Sequence, residues 1–149
     1  MHILFCLFVS QPMTRINANV PPAKLHRLHL IAEFREITMV PASLRRSLRS
    51  KTHEAILESI PKQFTLNKGH VTFFYDKQVF LQRRFHALVD EMEKRGYKAD
   101  RSRAIAFEGF PIYYNNDWLA NEVDNVLIHE RIALRISEKP HLYKDWNLL

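Results

Sequence analysis

The stretch Ala32-Glu33-Phe34-Arg35-Glu36 puts a carboxylate, Glu36, at the edge of an apolar stripe and directly after an arginine. A carboxylate so flanked can be held ionised beside a reacting centre, although the same spacing suits an ordinary surface ion pair. Arg131 and Arg135 are four residues apart, hence on one helix face, where they can straddle a phosphate or simply face water. Tyr143, Lys144 and Trp146 interleave aromatic rings with a cation, the composition of a base-stacking or cation–π surface. Other chemistries are poorly supplied. His26 and His29 stand one turn apart with no third ligand in the pattern, which suits solvated or capping histidines better than a metal. His129-Glu130 lacks the second histidine of a metalloprotease motif, and no Gly-x-Ser-x-Gly elbow occurs. The single cysteine, Cys6, excludes intramolecular disulfides and cysteine-built zinc or iron–sulfur sites. Three scattered glycines cannot form a phosphate cradle.

A chain of 149 residues is the size of one domain, and 46% hydrophobic with 26% charged residues is a globular balance. Basic residues outnumber acidic ones by 22 to 16, for a net charge of +6. The excess is polarised: residues 24–51 carry net +5 and residues 77–103 net +4, whereas residues 108–138 carry net −4. Such a field speeds encounter with a polyanion and makes binding fall with salt. A solvated basic helix face would give the same counts.

Helices must position these residues. Leu25, Leu28, Ala32, Arg35 and Met39 recur at three- and four-residue steps, predicting a first helix from about Pro21-Pro22 that Pro41 kinks or restarts. A basic segment over 43–51 and a connector over 52–69 follow. The second helix is predicted from 71 or 72 to 95, with Gly96 as its stop. Its buried stripe is Phe73, Phe80, Leu81, Leu88 and Met92, widened by Phe74 and Val79. A long loop over 97–116 leads to a third helix, capped by Asn116 or Asp117 and ending near 138 before Pro140. Its apolar positions are Leu119, Val123, Val126, Leu127, Ile132 and Ile136. With no alternating strand pattern, the expected class is all-α: a single compact domain of three main helices with long connecting loops.

Residues 1–12 differ from the rest. Ile3 to Val9 is an apolar run of seven, too short to span a bilayer. No lysine or arginine precedes it and no small-x-small cleavage site follows. The expectation is a misassigned start: residues 1–12 are a non-native leader, and the domain occupies residues 13–149.

Longer blocks carry a family likeness. Met13-Thr14-Arg15-Ile16-Asn17, the run from His29 to Glu36, Gly69-His70-Val71-Thr72-Phe73-Phe74-Tyr75-Asp76-Lys77 and Lys94-Arg95-Gly96-Tyr97 resemble, in order and spacing, the phage-type pyrimidine-dimer DNA glycosylases, also called ultraviolet-repair endonuclease V. Lys139-Pro140-His141-Leu142-Tyr143-Lys144 is similar to the aromatic C-terminal segment of that family, so the likeness spans about residues 13–146. The resemblance implies a three-helix, all-α domain. Its nucleophile would be the α-amine of Thr14, bared once Met13 is removed, with Glu36 supporting the chemistry. DNA contacts carry over to Arg15, His29, Arg35, Arg131, Arg135, Tyr143 and Lys144. No metal or organic cofactor is implied. Met39 and Leu142 stand where the phage-type pattern has an arginine and a tryptophan, which bears on lesion specificity rather than reaction type.

An α-amine has a pKa of about 7.7–8.0, far below that of lysine, so a useful fraction is unprotonated at neutral pH. The resemblance implies that this amine attacks the damaged deoxyribose, expels the base and forms an imine, after which β-elimination cuts the strand. The implied partner is double-stranded DNA carrying pyrimidine dimers or abasic sites, kinked, with the base opposite the dimer displaced into a pocket. The enzyme would be a monomer away from membranes, in a bacterial or phage-infected cytoplasm at the nucleoid. Two other readings stand beside this one. In one, the leader is retained, the nucleophile is buried in mid-chain, and the protein is a non-catalytic DNA-binding or architectural factor. In the other, the same mechanism serves a different base lesion.

Overall fold

Leu30, Phe34 and Ile37 recur every three or four residues and form the buried face of helix α1 (Arg27–Glu36) and its end. The computed structural model describes residues 15–146; residues 1–12, read above as a leader, and Thr14 lie outside the described residues. Five more α-helices follow: α2 (Met39–Leu48), α3 (His53–Ser59), α4 (His70–Phe73), α5 (Gln78–Lys94) and α6 (Glu122–Glu138). Short 3-10 turns occupy Pro22–Lys24, Arg101–Phe107, Ile112–Tyr114 and Pro140–Tyr143. The described residues contain no strand, so the all-α class is as expected.

Several elements are divided more finely than expected. The first helix stops at Glu36 and restarts as α2, with Pro41 in the new first turn, where its missing N–H deprives no carbonyl. The stripe of Ala32, Arg35 and Met39 faces outward; the buried face lies a quarter-turn away, at Leu30, Glu33, Phe34 and Ile37. The connector over 52–69 contains α3, whose Thr52 hydroxyl accepts from the Ala55 N–H at 3.1 Å. The second helix breaks between α4 and α5, where the Asn116 carbonyl accepts from the Phe80 N–H at 3.3 Å and satisfies part of the open first turn of α5. Val79, expected inside, is exposed. The third helix starts at Glu122: Asn121 and Asp124 form a reciprocal capping box, while Asp117 accepts from Arg83 and from the Trp118 N–H instead. Leu119, Val123, Val126 and Leu127 are exposed, and Ile128 is the helix residue that enters the core.

Helix α5 is central. It packs on α1, on Pro22–Lys24 and on Arg101–Phe107. Phe85 stacks on Phe34 with ring centroids 5.7 Å apart, and Trp118 lies among Phe64, Phe73, Phe74 and Phe80. Burying each such ring stabilises the fold by roughly 1.5–3 kcal/mol relative to leaving it in water.

Candidate active site

The buried face of α1 contains one charged residue, Glu33, 1% exposed, and a carboxylate there needs a cation. Arg84 supplies it from α5, where it sits four residues from both Phe80 and Leu88 on the same inward face. Its Nε donates to Glu33 Oε2 at 2.7 Å and its Nη2 to Oε1 at 3.0 Å. The remaining nitrogen, Nη1, donates to the carbonyls of Ala18 and Val20 at 3.2 and 2.7 Å. Through this pair α1 and α5 hold the irregular segment 15–20.

That segment is anchored amide by amide. The Arg15 N–H donates to Glu36 Oε2 at 3.3 Å, the Ile16 N–H to His70 Nε2 at 3.0 Å and the Asn17 N–H to Glu33 Oε1 at 3.2 Å. Asn17 Nδ2 donates to the same Glu33 oxygen at 2.9 Å. Arg103 steadies the end of α1 that carries Glu36: its guanidinium donates to the carbonyls of Phe34 and Arg35 and to the Thr38 hydroxyl.

A cleft opens beside Arg15, lined by Asn17, His29, Glu33 and Glu36 on one side and by Arg131, Ile132 and Arg135 of α6 on the other. Three arginines therefore face one half-buried carboxylate. Burial pushes the Glu36 carboxyl above its ordinary range, against the pull of the Arg15 N–H and the Arg15 and Arg135 charges. Burial, with the neighbouring charges of Arg131 and Arg135, lowers Arg15 to about 10. Arg131 is lowered by burial and by Arg135, and its Nε is buried with no hydrogen-bond partner among the described residues. His29 is lowered to about 4 by burial, His26 and Arg135, and so is neutral at pH 7. The arrangement suits an anion: phosphate oxygens would offset the mutual repulsion of the arginines, and the carboxylate can exchange a proton within the same space.

The structure brings together five of the residues singled out from sequence: Arg15, His29, Glu36, Arg131 and Arg135 line this cleft. Tyr143 stands at its rim, its hydroxyl 2.8 Å from His29 Nε2. Arg35 and Lys144 are exposed and outside the cleft lining. His26 is the cap of α1, its Nδ1 accepting from the Leu28 N–H at 3.1 Å. Sequence reasoning missed Asn17, His70 and Arg84 as parts of the site and set Glu33 beside the apolar stripe. Glu33 could have been found by shifting the α1 face to Leu30-Phe34-Ile37, which places an acid inside and calls for a buried cation.

No helix among the described residues is long and apolar enough to cross a membrane. A family model described as pyrimidine dimer DNA glycosylase matches residues 13–104. The matched span begins at Met13 and includes Glu33, Glu36, His70 and Arg84; α6, with Arg131 and Arg135, lies beyond it. With well over half of its length matched, and with a carboxylate and an arginine-walled cleft at the front of the chain, this protein belongs to the pyrimidine dimer DNA glycosylases, a family of DNA repair whose substrate is DNA.

Proposed function

We propose that the protein excises the base at pyrimidine dimers with the α-amine of Thr14 as nucleophile, in a domain that begins at residue 13 and is processed to Thr14. The observation that carries this reading is the Arg15 N–H held 3.3 Å from Glu36 Oε2 at the mouth of the arginine-lined cleft. Three covalent bonds separate the backbone nitrogen of Arg15 from that of Thr14. A free amine there lies within reach of the same carboxylate. The amine attacks C1′ of the deoxyribose, the C1′–N1 bond breaks, and the base leaves with a proton. That proton comes from the nitrogen now bonded to C1′; a second proton is then delivered to O4′ as the C1′–O4′ bond breaks, which opens the sugar and gives a cationic imine. Glu36 stabilises that charge, then takes the proton from C2′ as the bond from C3′ to the phosphate oxygen breaks. The second step makes the enzyme an abasic-site lyase as well as a glycosylase.

Arg15, Arg131 and Arg135 bind phosphates around the reacting sugar, Arg35 and Lys144 extend the contact along the backbone, and His29 with Tyr143 forms the rim against which the distorted duplex packs. Arginines close to the amine also disfavour its ammonium form, keeping more of it nucleophilic. Borohydride trapping on ultraviolet-irradiated duplex DNA tests the mechanism. A chain beginning at Thr14 is expected to become covalently joined to DNA, and one beginning at Met1 is not. Equal trapping of both chains rules out the Thr14 amine.

A further inference from the structure

Of the three side chains that hold the Arg15, Ile16 and Asn17 amides, Glu36 has a part in the proposed chemistry and Glu33 is paired with Arg84. His70 has neither task. Its ring is 2% exposed and packed by the rings of Phe64 and Phe74, whose centroids lie 5.6 and 5.3 Å away at nearly perpendicular planes. Nδ1 lies 2.7 Å from the Thr65 carbonyl and therefore carries the proton, leaving the Nε2 lone pair for the Ile16 N–H. Gly69 lets α4 begin there: its φ is +102°, and a Cβ would come 3.1 Å from Pro61 Cγ. Both ring nitrogens are thus engaged and the ring is held against two phenylalanines, and what it fixes is a peptide two residues from Thr14.

We propose that His70 is a positioning residue of the glycosylase reaction: its neutral Nε2 holds the Ile16 amide and so aims the front of the chain into the cleft without touching DNA. The inference rests on the Thr14 reading. Glu36 alone is a poor anchor, because its bond to Arg15 is long at 3.3 Å and a group that exchanges protons cannot hold one donor throughout turnover. The buried Ile16 side chain fixes depth but not rotation about the backbone. The lone pair of His70 supplies that constraint at Ile16, one residue nearer Thr14 than the Asn17 amide held by Glu33. The charged groups acting on the ring, Arg15 on the anchored segment and Arg131 on α6, are both cationic, and with burial as the larger cause they hold its pKa at about 4. A protonated ring would present a donor where the Ile16 N–H needs an acceptor.

The test compares H70F, which keeps an aromatic ring against Phe64 and Phe74, with H70Q, whose Oε1 can replace the Nε2 acceptor, in the chain beginning at Thr14. Single-turnover rates are measured on a dimer-containing duplex, and affinities in an E36Q background, where cleavage is expected to be at least about 10²-fold slower. H70F is expected to lose on the order of 10²-fold in rate, the cost of a misplacement of about 1 Å, with Kd changed less than about threefold and most of the rate restored in H70Q. A folded H70F with wild-type rate, or a loss confined to Kd, overturns the proposal. If H70F does not fold, amide exchange at Ile16 in H70Q and H70N decides. Rate is expected to follow protection, both largely kept in H70Q and both lost in H70N, and a wild-type rate with Ile16 protection lost overturns the proposal. A wild-type chain that nicks DNA without being trapped would instead overturn the Thr14 reading, and the rate split among His70 variants would remain readable from nicking.

Discussion

Arg84 grips Glu33 at two points, 2.7 and 3.0 Å, and with its third nitrogen holds the carbonyls of Ala18 and Val20, so one guanidinium joins α5, α1 and the front of the chain. Both side chains are at most 5% exposed. Removing one partner strands a charge in the core. R84M is therefore expected to destabilise the protein by about 3–5 kcal/mol, and E33Q/R84M to recover part of that loss because no lone charge remains. Urea denaturation of the three proteins measures both.

Glu36 accepts from the Arg15 amide in a cleft that three arginines also line, where a carboxylate can stabilise positive charge and relay a proton. E36Q retains the shape but neither the charge nor the basicity. Single-turnover cleavage is expected to fall by at least about 10²-fold, while gel-shift affinity for dimer-containing DNA stays within about threefold.

Arg131 and Arg135 form the α6 wall of the cleft. If each neutralises one phosphate, R131A and R135A should each reduce the slope of log K against log salt by about 0.9. Fluorescence anisotropy at four or five salt concentrations resolves a change of that size. R35A and K144A, outside the cleft, should lower the slope likewise with a smaller effect on single-turnover rate.

Acid should loosen the site before it unfolds the whole protein. His29 and His70 have native values of about 4, below the ordinary 6.5 of an exposed histidine. As pH falls from 6.5 towards 4 the unfolded chain takes up these protons first, so stability is lost over that window. The Tm is expected to decline there and the decline to be shallower in H70Q. Glu36, raised in the folded state, acts with the opposite sign over its own range, gaining stability as pH falls through it. Thermal melts at half-unit pH steps, with E36Q as control, separate the two.

The helical class, the Gly96 stop and the cleft wall of Arg131 and Arg135 were legible because each follows from local spacing. Gly96 adopts φ +87° just past α5, as a helix stop of this kind does. Glu36 was legible both as a carboxylate at the edge of an apolar stripe and through the family likeness, whereas the cleft it lines was not. The phase of α1 was not, because Glu33 interrupts the buried face while Leu25, Leu28 and Ala32 offer an equally apolar alternative. Neither His70 nor Arg84 stood out in the sequence, since a buried polar side chain is betrayed only by partners 51 or 54 residues away. In α6 two apolar faces compete, and only the one with Ile128 and Ile132 finds a partner surface.

The sequence distances across these anchors carry a consequence for biosynthesis. Ile16 waits for a residue 54 positions later and Ala18 for one 66 positions later. During translation the front of the chain leaves the ribosome first, yet Arg84, which holds the carbonyls of Ala18 and Val20, is added only when more than half of the polypeptide has been made. Throughout that interval residues 15–20 lack the guanidinium that ties them to α1 and α5, so the cleft is completed late, after most of its own walls have been synthesised.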